Sequence, residues 1–382
     1  MHWQKIVFQI AVSNSKSKIN PLKINIKKEI GSFFELKPSP RSWHIPFLAG
    51  LSVGIPLIFG YYSGNVKASL TASLAGLVIL YIPNTKDIFE MMMKMFVCSF
   101  GMIISYIFGL VFSFNMWIAP LAFGIFSAIV YYIVRYFNLK PPGSFFFIMM
   151  ASMAIGLPHN PEAIPQKIGV FTIGTLNACL ICLIYTLLKS KKEPSKNVTT
   201  LQINPYVNLV ESQIIGICMF ASVLVGQIFK LDYPYWIPVS SLAVLQGVNQ
   251  YHIWKRGLHR IIGTLIGLVI AWFIFSYIND TLWICIAIIC LQIIVEMLIT
   301  RHYALAVMFL TPMGILLAET GSSTSLNPDY LLKMRLLEIL IGSAIGCIGG
   351  WFLYNERIRF NSIKGLRKSK FVLRKSFKKE KS

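Results

Sequence analysis

Apolar runs long enough to cross a bilayer follow one another along most of this chain, and that recurrence leaves few folds open to it. Backbone N–H and C=O groups cannot stay unpaired in hydrocarbon, so runs of this length read as helices. They fall at about 43–62, 68–82, 91–114, 116–135, 144–156, 168–188, 210–229, 236–246, 257–278, 282–300, 303–318 and 331–354. Only 13% of residues are charged, about half the usual soluble share, and mean hydropathy is +0.63. The expectation is an all-α polytopic membrane protein of about twelve transmembrane segments.

The polar stretch "KSKKEPSKNVTTLQINP" separates the sixth run from the seventh. On either side the sequence repeats itself. Lys94, Gly101, Trp117 and Arg135 map onto Arg260, Gly267, Trp283 and Arg301 at a constant offset of 166, and Lys167 and Gly174 map onto Arg335 and Gly342 at 168. The expected organisation is a basic N-terminal segment (1–41), a first membrane repeat (42–189), a linker (190–206), a second repeat (207–354) and a polybasic tail (355–382). Six spans per repeat is an even number, so both copies insert in one orientation, related by an axis along the membrane normal. With the N-terminus in the cytoplasm, all but five of the 36 Lys and Arg fall on that side; the exceptions are Lys67, Lys167, Lys230, Lys333 and Arg335. That bias predicts cytoplasmic termini. The first 40 residues lack the compact apolar core and cleavage site of a signal peptide.

A formal net charge of +21 raises the question of nucleic acid. The basic residues, however, sit in the N-terminal segment, in short loops and in a tail interleaved with Phe, Leu and Val, a distribution that suits anionic lipid at the cytoplasmic face. The seven cysteines all lie within apolar runs without metal-ligand company, which suits helix contacts. The Asn-X-Thr triplets at Asn197 and Asn279 are common patterns.

The second and fifth segments of each half are too short for a perpendicular span, and Pro238 and Pro312 interrupt two of them. Paired short segments at matching places in two repeats point to a substrate pathway, or to half-helices held inside the bundle. Arg256, His259 and Arg260 open the third helix of the second half, where they read either as positive-inside anchors or as a vestibule that gathers anions. Glu296, near Arg301 and His302, reads as an ion-pair partner of Arg260 or Arg301, or as a proton-coupling group. Tyr235 and Trp236 suit an interfacial belt or the floor of an aromatic-substrate pocket that Gln246 would complete. Arg335 and Glu338 stand one turn apart in the outer third of the last helix, either as a helix-surface pair or as a cationic site with a proton-coupling carboxylate. Gly101, Gly263, Gly267, Gly342, Gly346 and Gly350 form small-residue stripes for close helix approach. No phosphate-cradling loop, Walker pattern or metal-spaced cluster appears, so no enzyme, cofactor or metal is expected, and transport would draw on a gradient or another subunit.

The stretch "YPYWIPVSSLAVLQGVNQYHIWKRGLHRIIGTLIG" (233–267) resembles the fusaric-acid-resistance-like (FUSC) family of bacterial inner-membrane proteins. It is carried by Tyr235-Trp236 opening a short helix, then Arg260, Gly263, Thr264 and Gly267. The first half keeps only Lys94 and Gly101 of this pattern. The resemblance implies a twelve-span exporter of aromatic carboxylic acids; some such proteins work with a periplasmic adaptor, of which this sequence gives no sign.

The functional expectation is a secondary transporter exporting small organic anions from the bacterial cytoplasm. Arg256, Arg260 and Arg301 would attract the carboxylate at the inner mouth, and Lys167 and Arg335 would form a second cationic site towards the outer face. The alternatives are a passive anion channel with the same residues, and a non-transporting scaffold that recruits envelope partners through its basic termini. Expected partners are the lipid bilayer, the anion and a second copy of the chain, with no nucleic acid.

Overall fold

The computed structural model describes residues 38, 42–83, 85, 87–189, 204–278, 280–319 and 328–365. The N-terminal segment up to 37, the linker from 190 to 203, the tail beyond 365 and both Asn-X-Thr asparagines lie outside the described residues. No strand occurs among the described residues. The helices are α1 (Ile45–Tyr62), α2 (Val66–Gly76, continued by a 3-10 turn at Leu77–Tyr81), α3 (Ile88–Phe112), α4 (Ile118–Tyr136), α5 (Phe145–Ile155), α6 (Ile164–Lys189), α7 (Pro205–Ile228), α8 (Trp236–Leu245), α9 (Gln250–Tyr277), α10 (Thr281–Leu298), α11 (Tyr303–Glu319) and α12 (Pro328–Tyr354).

Eight of these (α1, α3, α4, α6, α7, α9, α10 and α12) are long and apolar enough to cross a membrane. The other four, α2, α5, α8 and α11, are shorter. The expected dozen segments therefore resolve into eight helices of spanning length and four short ones, and the short ones occupy the second and fifth places of each half.

Hydropathy and helix limits part company at several N-termini. Helix α9 starts seven residues before its apolar run, because Asn249 Oδ1 accepts the backbone N–H of His252 at 2.8 Å and carries the polar "QYHIWKR" into the helix. Likewise Asn204 caps α7 and Asp87 caps α3 ahead of the apolar residues. Hydropathy marks where the chain meets hydrocarbon; the caps mark where the helix begins.

The outer faces are apolar in rows of every fourth residue: Leu121, Ile125, Ile129 and Ile133 on α4, and Leu176, Leu180 and Ile184 on α6, are all exposed. Apolar faces this extensive are not stable against water, and lipid is the solvent that suits them. The protein is a multi-pass membrane protein.

Neighbour relations recur between the halves. Helix α3 lies against α5 and α6, and α9 against α11 and α12. Helix α2 lies against α1 and α6, and α8 against α7 and α12. Across the middle, α4 meets α7 while α10 meets α1, and α5 meets α8 while α2 meets α11. The glycine stripes sit at these contacts. A Cβ on Gly267 would lie 2.7 Å from Met308 O and one on Gly263 2.7 Å from Ala304 O, both on α11. On the other half, Gly101 faces the ring of Phe147 on α5. On α12, a Cβ at Gly346 would lie 2.7 Å from Ser241 O and one at Gly342 2.7 Å from Ser240 Cβ, both on α8, whereas Gly350 faces Ile253 on α9. Gly174 meets the Ala72 carbonyl on α2, as Gly342 meets that of Ile237 on α8. Small residues here let backbones approach where a methyl group would not fit.

Candidate functional site

A cavity of about 250 Å³ lies inside the bundle, and all four short helices line it. Their shortness is what makes room. A 10-residue helix such as α8 reaches about 15 Å, half the hydrocarbon thickness, so its ends stop within the protein. Helix α8 is buried from Ile237 to Leu245 without a break. It runs antiparallel to α5 and is tied to it at both ends: Ser152 Oγ donates to Tyr235 O at 2.9 Å, and Gln246 Nε2 reaches Pro142 O at 3.5 Å. The α5 end is held in turn by Tyr81, whose hydroxyl donates to Gly143 O at 2.6 Å. The short segments are thus packed inside the bundle and line its cavity.

The cavity has two unlike walls. One is apolar, formed by Leu74, Leu77, Leu80, Phe145, Phe146 and Met149, which belong to the first half. The other, from the second half, carries Trp236, Gln246, Arg256, Arg260, Gln292 and Glu296 among apolar residues such as Val239, Leu310 and Met313. Arg256 is held in place by its Nε, which donates to Ala243 O at 3.0 Å, and by the ring of Tyr303, 4.0 Å below its guanidinium carbon. Arg260 is 4% exposed and donates from Nη2 to Ser240 Oγ at 3.3 Å. Three residues of this wall carry buried polar atoms with no hydrogen-bond partner among the described residues: Arg260 Nε, Trp236 Nε1 and Gln292 Oε1. Each such atom costs about 1–3 kcal/mol if nothing meets it. With Tyr303 Oη four such atoms surround the cavity and suit a polar occupant, and Arg260 Nε and Trp236 Nε1 are N–H donors, which suit an anion.

Five residues singled out in the sequence converge here: Trp236, Gln246, Arg256, Arg260 and Glu296. Tyr235, Lys167, Arg301 and Arg335 are not among the lining residues. Arg301 follows the end of α10 and is exposed, between the lining residues Thr300 and Tyr303. Tyr235 turns instead towards Gly156, whose added Cβ would lie 2.7 Å from the tyrosine Cδ1. Arg335 stands one layer behind the cavity, its guanidinium carbon 4.1 Å from the centre of the Trp236 ring and 5.5 Å from that of Tyr233. Arg335 is 2% exposed and Glu338 wholly buried, with Nη1 and Oε2 3.7 Å apart. A pair on the helix surface was one reading of the sequence; the structure encloses it in protein behind an aromatic screen. Gln292, Thr300 and Tyr303 were missed, although Gln292 and Glu296 sit four residues apart in an apolar run and so share one face of α10.

The fold and this cavity define a multi-pass helical membrane protein with a buried cationic pocket between its halves. Residues 220–349 match the family described as fusaric acid resistance protein-like, so the resemblance read from residues 233–267 holds for that part of the chain, which includes α8 to α11 and most of α12. An uncharacterized membrane protein of Bacillus subtilis (strain 168), YvaC, is 34% identical over 141 residues, covering 37% of this chain and 22% of the relative. An uncharacterized protein of Synechocystis sp. is 28% identical over 142 residues, 36% of this chain and 18% of the relative. The chain thus spans about a fifth of the length of these curated relatives. No solved structure matches it.

Proposed function

We propose that this chain is a secondary transporter that exports small organic anions, aromatic carboxylic acids among them, across the bacterial inner membrane. The observation that carries the reading is the two-walled cavity. An apolar body fits Leu77, Phe145 and Phe146, while a carboxylate meets Arg260 and the indole N–H of Trp236. The family match over residues 220–349 is consistent with a transport role.

The same reading gives the chain about twelve membrane segments in two parallel repeats, with both termini cytoplasmic. The recurring neighbour relations support the repeats: the contacts α1–α2, α1–α6, α2–α6, α3–α5, α3–α6 and α4–α5 each have a counterpart among α7 to α12, and the contacts between halves exchange partners in pairs. In that orientation Arg256 and Arg260 lie towards the cytoplasmic end of α9 and Arg335 towards the outer end of α12. Substrate would bind at the inner pair and leave past Trp236 towards Arg335, with Glu338 carrying a coupled proton.

Purified full-length protein in liposomes tests this. Benzoate should move against its own gradient when a proton gradient is imposed. Movement only down its gradient would favour a passive channel with the same residues. Trimming residues 360–382 should leave flux unchanged, and a phenotype lost on trimming without any flux would favour a scaffold.

A further inference from the structure

The cavity's charge is set by three residues, and their balance says which anions it takes. Among the lining residues only Arg256, Arg260 and Glu296 are charged. With the carboxylate ionised they leave one cation uncompensated. We infer that Glu296 is the residue that makes the cavity selective for singly charged organic anions, by holding its net charge at plus one. This rests on the transport reading above and goes beyond it by naming the charge class of the substrate and the residue that sets it.

Leu74, Leu77, Leu80, Phe145, Phe146 and Met149 offer a second carboxylate no partner, so it would have to leave water uncompensated. A monoanion brings the enclosed charge to zero; a dianion leaves it at minus one beside a buried carboxylate. Glu296 is 7% exposed, so water screens that repulsion poorly.

The first half shows how local this balance is. At the 166-residue offset, Glu90 stands where Arg256 stands and Lys94 where Arg260 stands. That pair is closed on itself as an ion pair, with Thr85 Oγ1 donating to the Glu90 carboxylate at 2.9 Å, and neither residue lines the cavity. Phe126 and Val130 occupy the places of Gln292 and Glu296. All of the charge among the described lining residues therefore comes from one half, and Glu296 decides whether it is plus one or plus two.

Competition in proteoliposomes tests the inference. Flux of labelled benzoate through the full-length protein is measured near neutral pH against unlabelled benzoate, isophthalate and monomethyl isophthalate. The ester matches the dianion in shape but carries one charge. In the unaltered protein, benzoate and the ester should compete at concentrations at least about tenfold below isophthalate, the effect expected of one poorly screened charge. Glu296→Gln should narrow or reverse the ester-to-isophthalate ratio by at least about tenfold, while Glu296→Asp should keep it. Equal competition by the ester and isophthalate in the unaltered protein would overturn the inference even if no Glu296 variant folds. An unchanged ratio in a folded Glu296→Gln protein would overturn it while leaving the transport reading intact. Absence of benzoate flux and binding in the unaltered protein would instead overturn the transport reading, and the inference with it.

Discussion

Replacing glycine by alanine should change stability with opposite sign at two helical positions of this protein. At Gly346 on α12, an added Cβ would lie 2.7 Å from the Ser241 carbonyl oxygen, 2.8 Å from Val244 Cβ and 3.2 Å from Ser241 Cα, all on α8. Ordinary contact begins near 3.4 Å, and two of these atoms are backbone, which cannot rotate aside. The two helices would have to part by about 0.7 Å, an overpacking that costs about 1–3 kcal/mol. Alanine recovers about 0.5–1 kcal/mol through its better helix propensity. The net effect at Gly346 is a loss of up to about 2.5 kcal/mol. At Gly169 on α6 nothing lies within 4 Å of the added Cβ, so only the propensity gain remains and alanine should stabilise. Thermal inactivation of the two purified variants, followed by size-exclusion chromatography in detergent, measures the difference. Gly346→Ala should lose its monodisperse peak at a lower temperature than the unaltered protein, and Gly169→Ala at the same or a higher one. Shifts of the same sign and size would refute the close-approach account of the stripe. Because α8 also lines the cavity, Gly346→Ala should lower benzoate flux as well.

Two further outcomes follow from the charged groups. Arg260→Gln removes charge-assisted hydrogen bonds worth about 1.5–3 kcal/mol, so the concentration of benzoate for half-maximal flux should rise about 10- to 150-fold, with Arg260→Lys between. At the α4–α7 contact, Arg135 Nη2 lies 2.9 Å from the buried Glu211 carboxylate; Arg135→Ala strands that charge and should destabilise by about 1–3 kcal/mol, whereas the neutral isostere Glu211→Gln should cost less, both read as shifts in thermal midpoint.

Much of this architecture was legible in the sequence, because in a bilayer hydropathy and backbone satisfaction constrain the chain together. Each apolar run overlaps a helix, and the short runs are the short helices. The cavity was legible only from its polar side. Arg256, Arg260 and Glu296 stand out in an apolar sequence; Leu77, Phe146 and Met149 do not, since a residue facing a cavity and one facing a core are chemically alike. Arg301 follows Glu296 closely in sequence, but it lies beyond the end of α10 at Leu298, exposed and not itself in the lining. Burial of Arg335 and Glu338 was equally hidden, because a helix that carries charge and glycine together does not reveal which face meets protein. The Trp236 screen settles that, and it depends on a residue about a hundred positions away.

The central claim is that the cavity lined by α2, α5, α8 and α11 holds an organic anion by its carboxylate. An experimental structure of the full-length protein with 3-iodobenzoate would test it most directly. The account predicts iodine among Leu77, Phe146 and Met149, with the carboxylate on Arg260 and the Trp236 indole N–H. Iodine found only outside this cavity, in a protein shown to bind the compound, would contradict it.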